Sequence, residues 1–265
     1  MNPWSITLMD FWTATASHLW QSTLVLILLG LLALTLRKAP GRIRNGLWQI
    51  GLVKMAVPFS LFGWLFHKLG FTLPTWQPGR ETASDSVAVS TVSGIWSPVI
   101  LSAAPEGGIG TGASILLAIL TVTWAVTALW LLGRGVAAWI RTRPQHGILA
   151  ADLDPAIWKR LKDVLEKTGI SLRHLRLSRD TSAPGVSGFL RPGIRLSEDL
   201  LRSLPPDALQ AVLLHEDAHR RRYEPLRYGI HRLVFCLFFY FPPLWLLLRQ
   251  LHDTAELACD EAALD

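Results

Sequence analysis

The segment richest in chemistry is His215-Glu216-Asp217-Ala218-His219, an H-E-x-x-H pattern. On a helix, residues four apart stand one turn above each other. Both imidazoles then point to one side and can share a Zn²⁺ ion. Glu216, one step along, can reach a metal-activated water and take its proton. The plainer alternative is a surface helix with two ordinary histidines. The surroundings favour metal: residues 206–223 read as a helix, with Asp207 near its start and Leu209, Val212, Leu213 and Leu214 as an apolar face.

A catalytic zinc site needs a third protein ligand and an open position. Glu256 and Asp260 are four apart on a helix predicted from about residue 244. Glu256 can close the site, and Asp260 can accept the free ring N–H of a liganding histidine. The alternative is a solvated acidic helix face. Cys259 would compete with Glu256 for the same place, and it reads as packing, like Cys236. His18, His67, His146, His174, His231 and His252 lack a partner at metal spacing and read as surface or interfacial residues.

The composition says what must carry this site. The 265 residues hold 26 Lys plus Arg against 20 Asp plus Glu, a net charge of +6. Half are hydrophobic and 17% are charged, against about a quarter in an ordinary soluble domain. A disordered chain is excluded, since disorder needs low hydrophobicity and high charge. Two cysteines exclude a disulfide scaffold. Three apolar runs, about 19–36, 47–70 and 111–133, are each long enough to cross a hydrocarbon core of about 30 Å. Lys54 is expected to snorkel to the headgroups from near one end of the second, and Pro58 to kink it.

Arg37, Lys38, Arg42 and Arg44 crowd the short link between the first two spans. The loop 72–110 has only Arg80, while Arg134, Arg141 and Arg143 follow the third span. Basic residues favour the cytoplasmic side. The expectation is therefore a multi-pass protein of the inner (cytoplasmic) membrane. Its amino terminus and loop 72–110 lie outside, and residues 141–265 lie at the cytoplasmic face. The basic balance then reflects topology in a lipid bilayer, and no nucleic-acid partner is expected.

Residues 141–232 have the composition of a soluble domain. A helix is predicted over 155–168, stopped by Gly169, then a strand over 172–178. Two short strands flank the Arg191-Pro192-Gly193 turn. The strand containing Gly193, Ile194, Arg195 and Leu196 is a candidate edge for holding an extended peptide substrate. The apolar run 233–248 is too poorly placed to be a fourth span, which would put His215 and Glu256 on opposite faces of the membrane. Pro242-Pro243 breaks it, and a membrane-associated helical hairpin over 231–249 is expected. Arg220, Arg221 and Arg222 would face headgroups or solvent.

HEDAHRRR, then FFYFPPLWLLL, then ELACDEA resembles the BlaR/MecR-type membrane metallopeptidases, a gluzincin family. GFLRPGIRLS is similar to that family's strand before the zinc helix. The resemblance implies a mainly α membrane protein with three transmembrane helices (residues 1–140) and a cytoplasmic α+β zinc peptidase domain (141–265). It implies one Zn²⁺ per chain held by His215, His219 and Glu256, with Glu216 as catalytic base and Asp260 behind the ligands. It also implies a protein or peptide substrate, either a cytoplasmic regulator or the chain itself. The HtpX/Ste24-type peptidases match CDEA and the Pro-Pro-Trp spacer less well. Sensor-bearing relatives continue past the zinc domain, whereas this chain stops at Asp265 and is expected to be a short or truncated form without the sensor. A zinc-binding scaffold that cuts nothing is the competing expectation.

Overall fold

Charge-free apolar sequence forms long helices. The computed structural model describes residues 3–57, 68, 110–141, 153–179 and 183–264. Helix α1 runs Pro3–Thr35, α2 Gly41–Ala56 and α3 Thr111–Arg141. Among the described residues, two stretches, Thr7–Thr35 and Thr111–Arg141, are long and apolar enough to cross a membrane. Both outrun the apolar runs that predicted them. For the second predicted span, the start is helical in α2 and the rest, Val57 and Lys68 apart, lies outside the described residues, as does loop 72–110 up to residue 109.

The described residues divide into two compact units. The first takes 3–38, 46–57, 68, 110–130 and 238–247; the second takes 39–45, 131–141, 153–179, 183–237 and 248–264. The units interleave along the chain, so the start of α2 and the last turns of α3 belong with the second.

In the first unit, Lys54 corrects an expectation. It is 8% exposed, and its Nζ lies 3.3 Å from both His18 Nδ1 and Ser22 Oγ. His18 Nε2 in turn lies 3.0 Å from the Met55 carbonyl. The ammonium is held by polar groups of α1 rather than reaching for headgroups. His18, expected to be a surface or interfacial residue, is buried, with its Nε2 against a carbonyl of α2.

The second unit is built on one apolar core. Asp154 caps helix α4 (Pro155–Thr168) by accepting from the Ala156 N–H at 2.8 Å, with Pro155 in the first turn, where its missing N–H costs nothing. Gly169, at φ +68°, ends the helix in the left-handed region that a side chain resists. Strands β1 (Leu175–Ser178), β2 (Gly185–Ser187) and β3 (Gly193–Ser197) follow, then short helix α5 (Glu198–Ser203) and α6 (Pro206–Arg221). Leu161, Val164, Leu177, Ile194, Leu196, Leu201, Leu209 and Leu213 form the core. Leu209 and Leu213 are one turn apart on α6, so their burial fixes which way the next face of that helix points.

The sheet order is β1-β3-β2. Strand β3 pairs in parallel with β1 and antiparallel with β2. Gly193, Ile194, Arg195 and Leu196 therefore lie on the central strand: Ile194 and Arg195 are paired on both sides, Gly193 with β2 and Leu196 with β1. They cannot accept an added peptide strand. The free edge nearer the metal motif is that of β2. Helices α7 (Glu224–Phe238) and α8 (Pro242–Leu264) complete the chain, and Pro242 opens α8, where a proline is tolerated.

Candidate metal centre

The core-facing leucines of α6 leave His215 and His219 facing a cavity of about 430 Å³. Helix α8 brings Glu256 to them. His215 Nε2 and His219 Nε2 are 3.0 Å apart, and Glu256 Oε2 lies 3.9 Å from the first and 3.6 Å from the second. Ligands about 2.05 Å from a tetrahedral ion stand about 3.3 Å from one another. The three donors, 3.0, 3.6 and 3.9 Å apart, are close enough together to hold one metal ion, and all three residues line the cavity. Two imidazoles and one carboxylate are also the donor set of a catalytic rather than a closed structural site.

Each imidazole has a carboxylate on its other nitrogen. Asp260 Oδ1 is 3.0 Å from His215 Nδ1, and Glu224 Oε2 is 2.7 Å from His219 Nδ1. Such partners fix the tautomer, leaving Nε2 free to donate to a metal, and raise its basicity. His219, Glu224 and Cys259 also cluster closely enough to suggest metal. The 2.7 Å separation, however, is that of a charge-assisted hydrogen bond and well short of the tetrahedral spacing of about 3.3 Å. Cys259 Sγ, fully buried, lies 3.5 Å from His219 Nδ1. It is on the opposite side of the ring from Glu256 and does not compete with it.

The electrostatics follow from these contacts. Burial works against charge on His219, but Cys259 and the Glu224 carboxylate outweigh it and push its pKa up to about 10. Burial alone would raise the pKa of Glu224, yet its bond to His219 and the Arg222 charge lower it. Glu216 is raised by burial, against the lowering effect of the two histidines.

Sequence reading missed Glu224. It reaches His219 because α6 ends in a tight turn at Arg222–Tyr223. Tyr223 takes φ +53°, unfavourable for a bulky residue. The arginine cluster is also not simply solvated. Arg220 and Arg221 clamp the buried Asp217 at 2.6 and 2.5 Å, and Arg222 Nε donates to Glu224 Oε1 at 3.2 Å.

Tyr228 and His252 were missed as well. Both line the metal cavity, and the Tyr228 hydroxyl is 3.1 Å from His252 Nδ1. Burial raises the Tyr228 pKa, and the charges of Glu224 and Glu256 add to this, so the phenol keeps its proton. His252 had a visible signal: it stands one turn before Glu256 on the stripe that continues to Asp260. A second, apolar cavity of about 950 Å³ shares Val186, Pro225 and Tyr228 with the metal cavity.

The end of α8 is tied down. The Gly41 N–H donates to both carboxylate oxygens of Glu261, at 2.9 and 2.8 Å. A Cβ on Gly41 would lie 2.7 Å from the Ala258 nitrogen, so only glycine permits this approach.

No curated protein matches the chain. A family model does, that of the BlaR1 peptidase M56, across residues 12–265. With nearly the whole chain matched, the protein belongs to the BlaR1 peptidase M56 family.

Proposed function

We propose that this membrane-associated peptidase is a three-span, zinc-dependent endopeptidase whose site opens at the cytoplasmic face, cutting a regulatory protein or its own chain. The observation that carries the chemistry is the triangle of His215, His219 and Glu256 donors facing an open cavity. The basic link of residues 37–44 and the apolar helices Thr7–Thr35 and Thr111–Arg141 support the membrane arrangement.

His215, His219 and Glu256 would hold the ion, which when bound supplies Lewis acidity toward water and the scissile carbonyl. Asp260 and Glu224 orient the two imidazoles. Glu216 takes a proton from the attacking water and passes it to the departing amine. Its burial makes it a stronger base than an exposed carboxylate. Tyr228, holding its proton, is placed to donate a hydrogen bond to the oxyanion. The peptide would pair with the free edge of β2, whose Gly185 and Val186 line the same cavity.

The test is Glu216→Gln in the full chain. Zinc content should stay at one per chain while cleavage is lost. Cleavage that survives refutes the base assignment, and a wild-type chain that takes up no zinc refutes the whole reading.

A further inference from the structure

Asn45, in the second turn of α2, is 2% exposed and makes hydrogen bonds with both ends of its amide. Its Nδ2 donates to the Leu251 carbonyl at 3.0 Å and to Thr254 Oγ1 at 3.1 Å, both on α8. Its Oδ1 accepts from Arg222 Nη2 at 2.9 Å and from Arg227 Nη1 at 3.4 Å. The amide has one workable orientation, because a flip would turn its N–H groups toward two guanidiniums. No other residue type of this size serves. Aspartate could not donate to the Leu251 carbonyl, and leucine would take an acceptor from Arg222.

The contacts continue inward. Arg222 uses Nη2 on Asn45 and Nε on Glu224 Oε1, at 3.2 Å. The other oxygen of Glu224 lies 2.7 Å from His219 Nδ1. Glu224 is 2% exposed, so water does not stand in readily for a missing partner. We propose that Asn45 is a positioning residue for the metal centre, acting through Arg222 and Glu224 on His219. By this chain the first turns of α2, just past the basic link 37–44, set the orientation of a metal ligand.

The inference rests on the zinc reading above, and a double-mutant cycle on the full-length protein in detergent tests it. Asn45→Ala should weaken zinc binding about tenfold, the lower end of what residues behind metal ligands contribute. Glu224→Gln should weaken it further. In the Glu224→Gln background, Asn45→Ala should add less than about twofold, since the chain is already cut. Losses that multiply would overturn the proposal, because a general structural defect adds independently. Arg222→Gln cuts the chain one link nearer the ring and leaves the bonds of Asn45 to α8 in place. It keeps the test open if Asn45→Ala fails to fold, and unchanged zinc affinity in that variant would overturn the proposal.

A metal-free readout separates the two readings. The His219 Nδ1 proton, bonded to a carboxylate, should give a low-field imidazole resonance in protein labelled at histidine nitrogen. Glu224→Gln should remove it, and Asn45→Ala or Arg222→Gln should shift or broaden it. A resonance unmoved by both variants sinks the proposal even if zinc binds. A shift in a protein that binds no zinc sustains the chain and sinks the zinc reading.

Discussion

Glu224 Oε2 lies 2.7 Å from His219 Nδ1, on the nitrogen opposite the one that faces Glu256. Asp260 does the same for His215 at 3.0 Å. The two carboxylates differ in burial: the Glu224 side chain is 3% exposed and that of Asp260 63%. Water can replace the second and not the first. Glu224→Gln should therefore cost about 10- to 100-fold in zinc affinity, and Asp260→Asn clearly less. Competition with a chromophoric chelator measures both. Equal losses would show that the burial of Glu224 is irrelevant.

What could be read from the chain was whatever one helical turn dictates. His215 with His219, and Glu256 with Asp260, are each set by a spacing of four, and each pair lies on one helix face. Glu224 was not legible, because it is brought back by a turn whose Tyr223 adopts φ +53°, a conformation no residue pattern announces there. Strand order was equally hidden. Ile194 and Leu196 alternate as an edge strand would, and only pairing on both sides makes β3 central. Lys54 misled for a related reason: its partners His18 and Ser22 come from another helix. Gly41 carries no local signal either, since its need arises from Ala258, over 200 positions away in sequence.

Tyr228→Phe removes only a hydroxyl that borders the metal cavity. If that hydroxyl meets the oxyanion, kcat should fall by about 10²- to 10³-fold, the effect of losing one such donor. Zinc content and KM should hardly change, since the hydroxyl is used mainly in the transition state. A rise in KM at constant kcat would instead make Tyr228 a ground-state contact.

The apolar cavity beside the candidate metal site invites a specificity test. Val136, on the last turns of α3, lines it and is 46% exposed, so a larger side chain there has room on the exposed side. Val186 borders both cavities. A peptide paired along β2 advances about 3.3 Å per residue, so a side chain one or two positions from the cut bond reaches the apolar walls. Val136→Trp should lower kcat/KM for peptides with Phe or Leu there by about tenfold and leave those with Ala nearly unchanged, one large apolar contact being worth about that much. Uniform loss across the peptide set would show that the cavity does not select.

Proton competition supplies the last prediction. The His219 pKa is pushed up to about 10, so without metal the ring is protonated at neutral pH. Zinc must displace that proton from Nε2. Its affinity should then rise by about tenfold per pH unit from about pH 7 to about pH 9, and level off as pH passes the pKa. The direction follows from the raised value: protonation weakens with rising pH, and metal gains what the proton loses. Glu224→Gln removes one of the two neighbours that raise the pKa, so the rise should flatten at lower pH than in the parent chain. Zinc titrations at a series of pH values, with proton release followed in weak buffer, check both parts. Affinity independent of pH across that range would mean that His219 reaches the metal without giving up a proton, and would break the link between the Glu224 contact and the basicity of the ligand.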